Sequence, residues 1–136
     1  MQPSGRPENV NPDELAPARG FSHATVAGDT VWVGGQIGSD KTGKVPEPGD
    51  VVAQFARAIR NVATALHAAG CGPEDTVKLT YYVTDLKLYK ENLPAIGAPY
   101  REVFGRHYPA STLLEVSSLF DPDALIEIDA VAVRPA

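Results

Sequence analysis

Cysteine, methionine and tryptophan occur once each in this 136-residue chain, and histidine three times. A lone Cys71 excludes an intrachain disulfide. His23, His67 and His107 show no i, i+4 pairing and Cys71 has no second cysteine nearby, so no structural metal site is expected. Basic residues are also scarce: 12 Lys plus Arg stand against 17 Asp plus Glu, a net charge of −5, with no run of three basic residues. A nucleic-acid binder needs cations to displace the counterions of phosphates, so nucleic acid is not the expected partner. No apolar run is long enough to cross a bilayer. The opening MQPSGRPENVNPDE lacks the apolar centre of a secretory signal, so no membrane partner and a cytoplasmic location are expected. There is no GxSxG elbow, and Cys71 sits in a Gly-Cys-Gly turn with no base in sight, which argues against a nucleophilic cysteine. GSDKTGKV, from Gly38 to Val45, approaches a phosphate loop. It has Val45 where the magnesium-binding Ser or Thr belongs and two prolines where a helix must start, so it reads as an ordinary loop.

What remains is an ordinary globular balance, 43% hydrophobic and 21% charged, at the size of one domain. Pro3, Pro7, Pro12 and Pro17 make residues 1–19 an extended, partly mobile arm; a single domain is expected over 20–136. A hairpin spans Phe21 to Ile37, turning at Gly28-Asp29. Gly34 and Gly35 inside its second arm indicate a bulge or a close backbone approach. Asp50 is placed to cap a helix that Gly70 ends, with Phe55, Ile59, Val62 and Leu66 on one stripe. A strand follows from Val77 to Thr84, with Val77, Leu79, Tyr81 and Val83 alternating against Lys78, Thr80, Tyr82 and Thr84. A second helical region lies between Leu88 and His107, interrupted by Pro94 and Pro99, its long part starting near Pro99. Two strands, 111–117 and 125–133, flank a turn at Asp121-Pro122-Asp123. The order β-β-α-β-α-β-β is an α+β arrangement. Two helices cover only one face of such a sheet, yet Val31 and Val33 oppose Trp32, and Leu113 opposes Leu114. A second copy of the chain is the simplest cover for the other face, so homo-oligomerisation is expected.

The informative charges are Glu127 and Asp129, two apart in the apolar run IEIDAVAV and therefore on one face of a strand. A carboxylate there is costly unless hydrogen-bonded or paired. Either that face is wet, or the carboxylate lines a cleft where it holds or activates water. Glu115 in LLEV poses the same question. His67 and His107, at helix ends, read as surface residues; His23, beside Ser22 on an early strand, is either a core or a pocket residue.

Five segments, APARGFSHA, VGGQIGSDKTGKV, VKLTYYVTDL, PASTLLEV and IEIDAVAV, stand in one order and together resemble the Rid family, the YjgF-type reactive-intermediate deaminases, over about residues 16–134. The resemblance implies a chorismate-mutase-like (YjgF-like) α+β fold with helices on one face of a mixed sheet. It implies a homotrimer with small-molecule clefts between subunits, and hydrolysis of enamines and imines such as 2-aminoacrylate to a 2-keto acid and ammonia, without metal or organic cofactor. Position by position, it places Phe21 at the family's pocket tyrosine, Gly34 and Gly35 at the strand pair offering backbone groups to ligand, and Glu127 at the acid of the catalytic water. Ser111 stands where the deaminases have the arginine that grips the substrate carboxylate, Leu113 where they have a cysteine, and the pocket asparagine falls near Gly97. A charged hydrogen bond lost with that arginine costs roughly 1.5–3 kcal/mol, about one to two decades of affinity. The chain therefore resembles a subgroup lacking the arginine, and poor turnover of 2-aminoacrylate is expected unless Arg19 or Arg106 supplies the charge. The expected function is hydrolysis of another imine, enamine or related C=N compound. The alternative is a non-catalytic small-molecule-binding trimer, acting as a sensor or chaperone-like surface; an endoribonuclease, disfavoured by the acidic charge, comes last.

Overall fold

A computed structural model describes residues 5–136. Among these residues six strands form one sheet: β1 (Glu8–Val10), β2 (Ala24–Ala27), β3 (Thr30–Ile37), β4 (Thr76–Val83), β5 (Ala110–Glu115) and β6 (Ile126–Val133), in the order β1-β2-β3-β6-β4-β5. All neighbours are antiparallel except β4 and β5, which run parallel on either side of a helical crossover. The helices are α1 (Val51–Ala68), α2 (Leu86–Glu91) and α3 (Leu93–Phe104).

α1 forms where the apolar stripe places it. The Asp50 carboxylate accepts from the Ala53 N–H, and Gly70 takes a φ of 90° just beyond the end. Phe55, Ile59, Val62 and Leu66 are fully buried against Val31, Val33, Ile126 and Ile128 of the sheet. Gln54, buried in the same layer, is satisfied throughout: its Nε2 donates to the Glu47 and Asp123 carbonyls and its Oε1 accepts from the Leu125 N–H at 2.7 Å. It thereby ties α1 to the entry of β6.

The helices leave the opposite face of the sheet open. Trp32 on β3 lies opposite Val131 on β6 there and is 47% exposed; Val133 and Leu114 are exposed as well. Every residue of β5, at the sheet edge, is exposed.

Four details differ from the sequence reading. The arm is tied down from Glu8: Glu8, Asn9 and Val10 pair with β2, Asn9 Oδ1 accepts from the Thr25 hydroxyl, and Leu15 is buried. Backbone pairing and one apolar anchor hold a segment whose prolines argued against a strand; its first four residues lie outside the described ones. The long helix of the second region begins at Leu93, because Pro94 occupies the first turn, where its missing N–H is no loss; Pro99 sits inside the helix. A register shift between Thr76 and Lys78 turns Val77 outward, breaking the alternation with Leu79. His107 is a structural tie rather than a surface residue, its Nε2 donating to the Thr76 carbonyl at 2.7 Å.

Candidate functional site

A cavity of about 520 Å³ opens beside the start of β6. Glu127 lies opposite Ile37 of β3 and Tyr82 of β4, and its side chain extends over Gly35. The pairing of β3 with β6 shifts register between Val33 and Gln36, so Gly34 and Gly35 form the bulge that the double glycine indicated. A methyl group on Gly35 would overlap the Glu127 carboxylate. Among the described residues no group donates a hydrogen bond to that carboxylate. Burial first, and the negative charge of Asp129 second, push its pKa above the ordinary glutamate value. Asp129 differs: it accepts from the Tyr82 hydroxyl at 3.0 Å. Burial and that hydrogen bond raise the Tyr82 pKa.

The bulge is clamped from behind. His23 Nε2 donates to the Ala16 carbonyl at 2.6 Å, which leaves Nδ1 to accept from the Gln36 amide at 3.1 Å. The same amide nitrogen donates to the Gly34 carbonyl, and the Gly34 N–H donates to the His23 carbonyl. His23 is therefore both buried and on the cavity wall. Phe21, more than half exposed, meets His23 edge-on at 5.6 Å, and Arg19 and the exposed Phe120 complete the rim.

A second cavity of about 510 Å³ lies between α3 and β5. Ser111 and Leu113 pair with Leu79 and Tyr81, so both are on the helical side of the sheet. Tyr100 stacks on Tyr108 at 5.4 Å and donates its hydroxyl to the His107 carbonyl. Burial pushes the Tyr100 pKa up to about 12. Gly97 and Arg101, one turn apart on α3, form the opposite lip.

The residues singled out by sequence thus fall into two groups. Phe21, Gly35 and Glu127 share the first cavity; Ser111, Leu113 and Gly97 share the second. The two cavities lie on opposite faces of the sheet, so one chain does not bring all six together. Gly34 is outside the first cavity's lining, its N–H used within the bulge. Arg19 lines the first cavity and Arg106 neither. Glu115 accepts from the Leu86 N–H at 2.8 Å, at the start of α2. Sequence reasoning missed Arg101 and Phe120; only the i, i+4 spacing of Gly97 and Arg101 on a helix hinted at the former. Cys71 is buried with its pKa raised by desolvation, which keeps it a thiol. No helix is long and apolar enough to cross a membrane among the described residues.

The sequence profile of the family described as "Endoribonuclease L-PSP" matches residues 11–134. A RutC family protein of Pyrococcus horikoshii is 36% identical over 115 residues, 84% of this chain and 86% of its own length. A 2-iminobutanoate/2-iminopropanoate deaminase of Capra hircus is 30% identical over 114 residues, 84% of this chain and 80% of its own. The crystal structure of the YjgF gene product from E. coli superposes with a TM-score of 0.80 at 33% identity, covering 94% of this chain and 99% of that one. E. coli TdcF with bound serine superposes with a TM-score of 0.80 at 29% identity over the same shares.

Proposed function

The chain belongs to the RutC/YjgF (Rid) family, and from that premise we propose that it hydrolyses an imine, an enamine or a related C=N compound in a cleft between subunits of a homotrimer. The observation that carries this reading is the Glu127 carboxylate: half-buried, raised in pKa, without a protein donor, and held over a glycine bulge at a cavity wall. A carboxylate whose pKa moves toward neutrality exchanges protons readily with water. In the proposed reaction Glu127 removes a proton from water as the water oxygen adds to the imine carbon, and passes that proton to the imine nitrogen, giving a neutral carbinolamine. Glu127 then takes the carbinolamine hydroxyl proton as the C=O bond forms and the C–N bond breaks, and hands it to the departing nitrogen, which leaves as ammonia. Water is the only co-reactant, so atoms and charge balance without a metal or organic cofactor. The 2-imino acid deaminase named among the relatives supports the reaction class.

The trimer enters because Glu127 and Ser111 lie on opposite faces of one sheet. An open face bearing Trp32 and Val131 gives a second copy a surface to cover. In the proposed assembly the Glu127 cavity of one subunit meets the Ser111–Leu113 cavity of the next. The assignments of Phe21, Gly35, Ser111 and Leu113 as substrate-binding walls and of Glu127 as the catalytic group belong to this proposal, as do membership of an arginine-lacking subgroup, poor turnover of 2-aminoacrylate and a cytoplasmic location.

Phe21, which offers no hydroxyl, favours a second reading, a trimer that binds a small molecule in this cleft without turning it over. The deciding experiment supplies the purified protein with 2-imino acids generated in situ by an amino-acid oxidase and follows 2-keto acid release. Turnover by the wild type that Glu127→Gln abolishes supports the hydrolase; acceleration unchanged by that substitution refutes it. RNA incubated in parallel, and left intact, is the expected result for a chain of net charge −5.

A further inference from the structure

We propose that Arg101 is the anion-binding residue of the Ser111–Leu113 half-site, and that the ligand it selects is a 2-imino or 2-keto acid with a bulky apolar side chain. This rests on the reading of the cavity as half of a cleft, and it assigns the charge that Ser111 does not supply to a residue of α3, in place of Arg19 or Arg106.

The placement follows from helix geometry. Side chains on a helix lean toward its N-terminus, so the residue at 101 covers the surface one turn earlier, at 97. That position is Gly97. A Cβ built there would come within 2.9 Å of Arg101 Nη1, so the guanidinium occupies space that any other residue would fill. The group is uncommitted: among the described residues the one ion pair joins Arg57 to Glu47, and the Arg101 guanidinium makes no hydrogen bond. Both arginine and serine face the same cavity, where a guanidinium can bind a carboxylate through two parallel N–H bonds and the Ser111 hydroxyl can add a third donor.

The rest of the wall has little polarity to offer. Leu93, Ile96, Tyr100, Tyr108 and Leu113 surround a volume of about 510 Å³, of the size that holds a drug-sized ligand. A three-carbon acid would leave most of that apolar surface unfilled. An aromatic or branched side chain buries it, at roughly 25 cal/mol per Å².

The test separates binding from turnover. Phenylpyruvate and pyruvate, both stable 2-keto acids, are titrated by calorimetry into the purified protein, with Arg101→Gln and Gly97→Ala alongside. Gly97→Ala keeps the arginine but displaces it, and alanine is the better helix former, so the helix is not at risk. Phenylpyruvate should bind the wild type more tightly than pyruvate. Arg101→Gln should weaken it about 10–100-fold, the range of a lost charge-assisted hydrogen bond, and Gly97→Ala should weaken it in the same direction. Binding of phenylpyruvate that is absent, or equal in the wild type and Arg101→Gln, overturns the assignment. Binding that depends on Arg101 without any keto acid release from imino acids upholds it while refuting the proposed hydrolysis; release that ignores Arg101 does the reverse.

Discussion

Gly35 and Glu127 are fitted to each other across the β3–β6 pair: the carboxylate lies in the space that a side chain at position 35 would take. The bulge that removes Gly34 and Gly35 from the ladder makes that space, and the Gln36 amide, donating to His23 Nδ1 and to the Gly34 carbonyl, holds the bulge in shape.

Replacing Gly35 with alanine should therefore harm the site more than the fold. The atoms in the way belong to the far end of the Glu127 side chain, which can swing aside. Stability is expected to change by less than about 1.5 kcal/mol, within the range of tolerated core swaps. Turnover should fall by about 10²-fold or more, as misplacement of a reacting group by an ångström does. Thermal melts and keto acid release on the same preparation compare the two; a stable variant with full activity would contradict the fit.

Glu127→Gln should make the protein more stable at neutral pH and less active. The glutamate's folded pKa lies above its unfolded value through burial and Asp129. Protonation is thus favoured in the native state. The native state is not penalised below the unfolded pKa, and loses stability as pH rises through the folded one. Glutamine escapes that loss. Melting temperatures measured from pH 7 down to pH 3 should show the variant ahead at pH 7 and the gap closing toward acid. Removing the proposed general acid–base should cost about 10²–10⁴ in rate. A variant less stable than the wild type at pH 7 would mean the carboxylate has a donor in the assembled protein.

Trp32→Glu should break the proposed trimer. The indole is half-exposed opposite Val131 on the face without helices. Covering a large apolar side chain contributes roughly 1.5–3 kcal/mol for each subunit, and a carboxylate in its place would be buried unpaired. Light scattering should report a trimer for the wild type at micromolar concentration and monomer for the variant. A wild-type monomer would refute the assembly itself.

Gly38→Ala should be among the most destabilising small changes. A methyl there would meet the Gln54 Cα and carbonyl oxygen at 2.7 Å, and these belong to the α1 backbone, which has no freedom to yield. A loss of about 1–3 kcal/mol is expected, read as a lower denaturant midpoint at unchanged slope. Because Gln54 anchors Asp123 and Leu125 ahead of β6, a shift of α1 would also move Glu127.

The elements that could be read from sequence are those whose residues repeat one instruction. α1 has a cap, a stripe and a terminating glycine in agreement. The hairpin turns at Gly28, whose φ is 60°, and the double glycine in β3 is a bulge. Alternation put Glu127 and Asp129 on one face, though not that Tyr82 engages one and leaves the other without a donor. What escaped depends on neighbours far along the chain. β1 holds through pairing with β2 rather than through its own composition. Val77 turns outward because of a register shift with β6. Arg101 is marked locally only by its i, i+4 spacing from Gly97; its position over Gly97 emerges only once α3 is seen to start at Leu93 and to face β5 across the second cavity.

Glu127 and Arg101 serve cavities on opposite faces of one sheet, and this has a genetic consequence if the half-sites meet between subunits. A Glu127→Gln chain still offers an intact Arg101 to its neighbour, and an Arg101→Gln chain still offers its carboxylate. Two impaired alleles expressed together would then rebuild complete sites at the junctions where their good faces meet, whereas either allele alone builds none. Dilution below the assembly threshold would silence even the wild type, so the amount of chain in a cell, and not only its sequence, would set whether the chemistry exists at all.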